Sequence, residues 1–206
     1  MTLCGNLSVN WLDTSYVATS LLPGLGNIKL SVSTSSTRAQ AFFNQGIRLI
    51  YGFNHWEAAQ AFREAIRADP DCAMNYWGMA LAYGPNLNDV NPKDRERLAF
   101  EFIQQAKQKK EKAAPVEKDL IDALATRYDG HPHEVRDTLN EAYAAAMLAL
   151  TRKYPGESEV LTLAADAIMN TMPWDYWQKD GSPKAATAEA KQLLEETLKK
   201  FPEHAG

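Results

Sequence analysis

The sequence predicts an all-α protein: a right-handed α-solenoid of about four antiparallel helix pairs behind an irregular N-terminal arm. Three observations support this fold class. From residue 37 onward, apolar residues recur at the three- and four-residue spacing of one helix face. Short breaks rich in Pro, Gly, Asn and Asp separate these stretches. No segment shows the sustained alternation with β-branched residues that a strand requires, so no sheet is expected.

The arm covers residues 1–35, where Pro23, Gly24 and Gly26 precede a cluster of Ser and Thr. Ser35 and Ser36 can each accept a hydrogen bond from free helical N–H groups, as can Thr37, so the first helix should begin there. The predicted helices lie near 37–52, 55–68, 72–83, 93–112, 116–128, 133–153, 157–171 and 184–200.

The first helix pair has the residue spacing of a two-helix repeat. The positions of this pattern are Phe42, Gly46, Leu49, Ala58, Phe62, Ala65 and Pro70. Small residues at Gly46 and Ala58 allow the two helices to approach closely, and Phe62 fills the gap against the next pair. Pro70 ends the second helix, because proline lacks the N–H that a continuing helix would use.

Shifting the frame by about 34 residues places comparable residues in three further units. They are Tyr76, Met79, Ala80, Tyr83, Ala99, Ile103 and Ala106, then Ile121, Leu124, Ala125, Tyr128, Tyr143, Met147, Leu150 and Pro155, then Leu161, Ala164, Ala165, Ile168, Ala190, Leu194, Thr197 and Pro202. The repeat domain is therefore predicted over 36–206, with units near 37–70, 71–114, 115–155 and 156–202.

A longer motif run adds a family resemblance. Residues 43–88 read FNQGIRLIYGFNHWEAAQAFREAIRADPDCAMNYWGMALAYGPNLN, and residues 169–177 read MNTMPWDYW. This run resembles a bacterial tetratricopeptide repeat (TPR) family with the motifs FNHxEA, DPxCAMxxWG, GPNxN and PWDxW. The resemblance covers about residues 25–206 and implies the TPR fold rather than a particular activity. It also implies that related chains are commonly longer, with further repeats.

Composition excludes some functional classes. The net charge is −4 and the sequence pI is about 5.6, which argues against the clustered basic face of a nucleic-acid-binding protein. No window approaches the roughly 18–20 apolar residues of a membrane span. The N-terminus lacks the pattern of a signal peptide. A cytoplasmic location is the default expectation, with a periplasmic one open if a leader has been removed.

Motifs for catalysis or metal binding are absent from the sequence. His55 is expected to orient the second helix, His131 and His133 to lie in a solvated turn, and Cys72 to be a buried apolar residue. No HExxH, CxxC or GxSxG pattern occurs. We therefore predict no catalytic residue, no metal and no cofactor.

The concave face of the repeat array is the expected binding site, together with two inserts. The predicted partner-binding residues are Phe43, Ile47, Met74, Trp77, Asn86, Asn88, Asp122, Asp166, Trp174 and Trp177. The first four make one end of the groove apolar, and the two aspartates make the other end acidic. Trp and Tyr are enriched at binding hot spots, which favours the Trp174–Trp177 insert. The predicted partner is a protein or peptide with hydrophobic and basic residues.

Three alternatives remain open at this stage. An apolar end of the array could pair two copies of the chain into a homodimer. The protein could bind a metal or cofactor, or be an enzyme, at a site completed by further C-terminal repeats. It could also bind a sugar or another small molecule, with Trp77, Trp174 and Trp177 as stacking surfaces.

Overall fold

The computed structural model describes residues 18–90, 92–202 and 204, and over these ranges the protein is all-helical, as predicted. Eight α-helices occur in it: α1 Thr37–Tyr51, α2 His55–Ala68, α3 Ala73–Tyr83, α4 Glu96–Lys109, α5 Pro115–Ala125, α6 Asp137–Lys153, α7 Ser158–Met169 and α8 Ala185–Lys200. A 3₁₀ turn, Lys110–Lys112, continues α4. These described ranges contain no β-strand, only the isolated bridges Asn86–Asp89 and Trp177–Pro183. The largest difference from the predicted boundaries is at α6, which begins at residue 137 instead of 133.

Each helix packs against the next one along the chain, and the most extensive contacts are within α1–α2, α3–α4 and α7–α8. Alternate helices also touch, because α1 contacts α3 and α3 contacts α5. The first helices of successive pairs therefore lie side by side in this part of the molecule. None of the helices in the described ranges has the length and apolar character needed to cross a membrane.

Phe62 of α2 is inserted between α1 and α3. Its ring lies so close to Gly46 and Gly78 that a Cβ atom added at either glycine would come within 2.5 Å or 2.4 Å of it. Phe43 of α1 meets the same ring edge-on, with centroids 5.5 Å apart. Gly46, predicted as a small residue from the repeat pattern, therefore allows this close approach, and Gly78, which the pattern did not single out, does the same on α3.

The described part of the arm, residues 18–36, is irregular as predicted but is closely attached to α1. The Gln45 side chain accepts a hydrogen bond from the Leu22 N–H (2.7 Å) and donates one to the Ser20 carbonyl (3.0 Å). The Arg48 guanidinium donates twice to the Ile28 carbonyl, at 2.9 and 2.7 Å. Side chains of α1 thus satisfy backbone groups that have no partner in a helix or sheet. The remainder of the predicted arm, residues 1–17, lies outside the described residues.

The first and last helix pairs meet. The Tyr51 hydroxyl at the end of α1 donates a hydrogen bond to Glu159 near the start of α7. Glu159 also bonds to the His204 ring, 2.9 Å away, and the rings of His204 and Tyr51 lie 5.7 Å apart. The helices therefore curve far enough for residues 108 positions apart to touch, and they enclose a space between them.

Candidate functional site

A cavity of about 140 Å³ lies in this enclosed space, and we call it the central cavity. Parts of α1, α2, α3, α7 and α8 surround it, together with the insert after α3 and the segment after α5. Its walls are mostly apolar, with Ile50, Leu81, Leu163, Met169 and Leu194 among them. An apolar pocket with a few convergent polar groups is the usual form of a small-ligand site.

Arg127 is the charged group of this wall that is most deeply buried. Its guanidinium carbon lies 4.9 Å from the centre of the Tyr143 ring, and its Nε is 3.5 Å from the Asn140 Oδ1. The Arg136 guanidinium donates to the Arg127 carbonyl at 2.6 Å and also pairs with the buried Glu96. The segment after α5 is thus fixed by α4 and α6, so that the Arg127 side chain reaches the cavity.

Among the other ionisable groups that line the central cavity, burial shifts the pKa values of Asp166 and His55. Burial raises the pKa of Asp166, although Arg127 and a 3.1 Å hydrogen bond from Asn170 oppose the rise. Burial lowers the pKa of His55, and the positive charges of Arg95 and Arg127 act in the same direction. Both shifts favour the neutral form. Ionisable groups with shifted pKa values in a cleft are candidates for functional residues.

A second apolar depression, the α8 groove, adjoins the central cavity. It has a volume of about 300 Å³ and is lined by Tyr176, Trp177, Leu194, Leu198 and Met169, among others. Leu194 and Met169 belong to both spaces. The cavity and the groove are therefore neighbouring parts of one apolar surface.

The two inserts predicted from the sequence contact each other. The Trp174 indole N–H donates a 2.8 Å hydrogen bond to the carbonyl of Leu87. Asn86 folds its own insert, because its Oδ1 accepts from the N–H groups of Asn88 (2.9 Å) and Asp89 (3.1 Å). Asn86 and Leu87 also line the central cavity. The GPNxN insert thus forms one side of this site.

Four predicted groove residues are not on an open groove, and this prediction is wrong. Phe43, Ile47, Met74 and Trp77 are buried in the core between the helices. Phe43 packs on Phe62 and Trp77, and the Trp77 indole donates to the carbonyl of Leu120 in α5 at 3.2 Å. These large side chains fill the contacts between first helices. Trp77 is therefore not available as a stacking surface for a sugar.

The six other predicted site residues keep some access to solvent or to the cavity. Asn86 and Asp166 line the central cavity, whereas Asn88 is exposed outside it. Asp122 is exposed and forms an ion pair with Lys110. Trp174 and Trp177 are 71% and 55% exposed, which is high for tryptophan and leaves both rings accessible.

Sequence reasoning missed the residues that give the cavity its chemistry. Arg127 lies in the ALATRY segment and was not singled out, and neither was Thr162 of α7. Arg127 does lie between Ala125 and Tyr128, two positions of the predicted repeat pattern, and this places it beside the predicted core. Its complete burial, however, follows from the packing of α6, which a local pattern does not encode.

The cysteine and histidines expected to be structural have contacts that fit this reading. Burial raises the pKa of the Cys72 thiol to about 11, so the reactive thiolate is disfavoured. The His133 ring bonds to the Asp129 carboxylate at 2.9 Å. Within the described ranges, no group of three or more His, Cys, Asp and Glu residues is placed to hold a metal ion.

Comparisons of the chain with protein-family models, with curated proteins and with solved structures found no match.

Proposed function

We propose that this protein is a TPR-type helical-repeat scaffold that binds an apolar segment of a partner protein. The binding surface is the α8 groove together with the rim of the central cavity. Contacts between the successive first helices α1, α3 and α5 support the repeat arrangement, since stacked pairs bring equivalent helices side by side. The motif resemblance supports the same arrangement.

The observation that carries the proposal is a set of accessible apolar side chains around one surface. Phe53 borders the central cavity and is 49% exposed. Trp177 and Leu198 line the α8 groove and are each at least half exposed. Exposed apolar groups that converge on a depression are typical of protein-interaction sites, and aromatic residues are common hot spots there. A partner segment with hydrophobic anchors fits this surface.

The carboxylates that were predicted to attract basic partner residues are already paired within the chain. Asp122 already pairs with Lys110, and Asp119 pairs with Lys153 and accepts a hydrogen bond from Tyr154. These carboxylates would have to exchange partners before they bind a basic peptide. We therefore place the hydrophobic anchors first and expect basic residues to contribute little affinity.

Selection of peptides from a random phage-displayed library on the full chain tests the proposal. The selected peptides should share hydrophobic residues, and Trp177→Ser or Phe53→Ser should weaken their binding by about tenfold or more, as measured by fluorescence polarisation. Val135→Ser is the matched control, because Val135 is 69% exposed and lines neither space. An empty selection, or equal affinity for all three variants, contradicts the proposal.

A second copy of this chain is one partner that the same variants can reveal. Light scattering of the wild-type protein and of Trp177→Ser would detect a homodimer through the α8 groove as a mass that halves on substitution.

A further inference from the structure

The Arg127 guanidinium is buried without the neutralising contacts that such a group normally requires. The residue has no exposed surface, and within residues 18–90, 92–202 and 204 its Nη1 and Nη2 make no well-formed hydrogen bond, with the neutral Tyr128 hydroxyl nearby. Burial of a charge is unfavourable unless the charge is paired and hydrogen-bonded. The Tyr143 ring under the guanidinium offsets only part of this cost. Both nitrogens can therefore still donate a hydrogen bond to an acceptor.

Asp166 does not supply that acceptor. Its carboxylate is close enough to interact with Arg127 electrostatically, yet its hydrogen bond comes from Asn170. Thr162, which lines the same cavity, also has a buried hydroxyl with no partner in the described part of the chain. Arg127 and Thr162, which lie in different parts of the fold, thus both line this mostly apolar cavity. Together they carry three polar atoms that lack a hydrogen-bond acceptor or donor in the described part of the chain.

We propose that the central cavity binds a small carboxylic acid with an apolar body, such as a branched aliphatic or aromatic acid. The ligand carboxylate accepts hydrogen bonds from Nη1 and Nη2 of Arg127, whose planar fork matches a carboxylate. The Thr162 hydroxyl donates to the same group. The hydrocarbon part lies against Leu81, Leu163 and Met169. This site does not depend on the partner binding proposed above.

The volume of the central cavity and its apolar lining indicate which class of ligand it can hold. A cavity of about 150 Å³ accommodates a molecule of the size of benzene, and the central cavity is about 140 Å³. Phosphate is less suitable, because a strongly hydrated dianion gains nothing from apolar walls and is repelled by a nearby carboxylate. A monoanionic carboxylate with a body of about six carbon atoms satisfies both the charge and the walls.

Ligand-observed NMR with the full wild-type chain tests this directly. Benzoate, phenylacetate and isovalerate form the panel of acids, with benzamide as the neutral analogue of benzoate and inorganic phosphate as the hydrophilic anion. We expect saturation transfer to at least one acid and none to benzamide, and we expect an excess of inorganic phosphate to leave the signal of the bound acid unchanged. If benzamide binds as well as benzoate, if phosphate displaces the acid, or if no acid binds, the proposal is overturned.

Variants identify the residue responsible. Arg127→Met should abolish binding of the acid, and Arg127→Lys should weaken it by about tenfold, because lysine has no bidentate fork. Asp166→Asn should bind the acid more tightly, since it removes a nearby negative charge. Arg97→Met is the matched control at an exposed arginine on α4. Wild-type affinity in Arg127→Met contradicts the assignment, and if that variant does not fold, the opposite effects of Arg127→Lys and Asp166→Asn decide.

A carboxylate of this kind could also be a protein C-terminus. Acetyl-glycyl-leucine with a free and with an amidated C-terminus separates the two sources. Binding of the free form more tightly than any small acid would assign the site to a chain terminus, whereas failure of both forms with binding of benzoate assigns it to a free acid. Trp177 lines the α8 groove but not the central cavity, and Arg127 lines the central cavity but not the groove. Trp177→Ser therefore tests the peptide binding and Arg127→Lys tests the acid binding, so that failure of one proposal is distinguishable from failure of the other.

Discussion

Two glycines determine how closely the first three helices pack. Phe62 lies between Gly46 and Gly78, and a Cβ on Gly78 would come 2.4 Å from the Phe62 ring, which is fully buried. We expect Gly78→Ala to lower the free energy of unfolding by up to about 2 kcal/mol. Overpacking of a core costs about 1–3 kcal/mol, and the higher helix propensity of alanine offsets roughly 1 kcal/mol of this.

Urea denaturation followed by circular dichroism measures this loss. Gly156→Ala is the matched control, because no atom lies within 4 Å of the position its Cβ would take. A second substitution, Phe62→Leu, should restore part of the stability lost in Gly78→Ala. Equal stability of Gly78→Ala and Gly156→Ala would contradict this account of the packing.

Asp166 makes stability depend on pH in a direction opposite to that of a salt-bridged acid. Burial raises its pKa above the ordinary value of 3.8, so the folded state holds the proton more tightly than the unfolded chain does. Its contribution to stability is fully present below the unfolded pKa and is lost as pH rises through the folded pKa. Asp166→Asn fixes the neutral form. We therefore expect this variant to become more stable than wild type as the pH rises from about 4 to about 7.

Urea denaturation at several pH values measures this difference in the free energy of unfolding. A difference that stays constant, or that shrinks as the pH rises, would show that Asp166 is not held in an environment that disfavours its charge.

The sequence predicted side-chain contacts correctly where the two helices in contact are close in the chain. The roles of Gly46 and Phe62 follow from spacing alone, because the two helices of a pair are close in the chain. The burial of Phe43 and Trp77 between helices did not follow from spacing. A small rotation of a helix about its axis decides whether a given apolar position faces a neighbouring helix or the cavity. Ile50, two turns after Phe43, and Leu81, one turn after Trp77, line the cavity instead.

At the level of the helices, one N-cap decides where α1 begins. Three residues, Ser35, Ser36 and Thr37, were equally suitable by sequence. In the structure the Ser36 hydroxyl accepts the hydrogen bond from the Ala39 N–H, at 3.2 Å. We expect Ser36→Ala to lower the free energy of unfolding by about 1 kcal/mol, the usual cost of losing such a cap.

Thermal or urea denaturation measures this effect, with Ser35→Ala as the matched control because Ser35 is exposed and does not cap α1. If both substitutions have the same effect, the cap does not contribute as the geometry indicates.

The helix boundaries were predicted well where a proline or glycine ends an element and poorly where tertiary contacts do. The segment before α6 has a helical sequence pattern from residue 133, yet the helix begins at Asp137. Asp129 accepts hydrogen bonds from the His131 N–H and the His133 ring, and Arg136 turns inward to Glu96. These interactions hold the residues before Asp137 outside the helix. The pairing of Arg136 with Glu96, which lies 40 positions earlier in the chain, could not be predicted from the local sequence pattern.

At the scale of the whole molecule, the curvature of the helix array was not predictable from the sequence pattern. Each helix packs against the next one along the chain, but small rotations between successive helices add up. Their sum brings Tyr51 of the first pair to Glu159 of the last. The central cavity forms because the first and last helix pairs meet. For this reason the sequence could identify the two inserts that border the cavity but could not identify Arg127 as one of its lining residues.

The contact of Tyr51 with Glu159 should therefore couple the two ends of the molecule. Burial and the Glu159 carboxylate raise the pKa of the Tyr51 hydroxyl, which keeps it protonated and able to donate. We expect Tyr51→Phe to lower the free energy of unfolding by about 1.5–3 kcal/mol, the range for a hydrogen bond to a charged group. Hydrogen exchange should quicken more in α7 and α8 than in α3 and α4, because the last pair loses a contact with the first.

Tyr143→Phe is the matched control for this prediction. Its hydroxyl is buried with no hydrogen-bond partner in the described ranges, so its removal should leave stability unchanged or slightly higher. Exchange measured by mass spectrometry on both variants separates a specific contact between the chain's ends from a general effect of removing a tyrosine hydroxyl. If Tyr51→Phe affects all helices equally, or if Tyr143→Phe loosens α7 and α8 to the same extent, closure of the array does not depend on this contact.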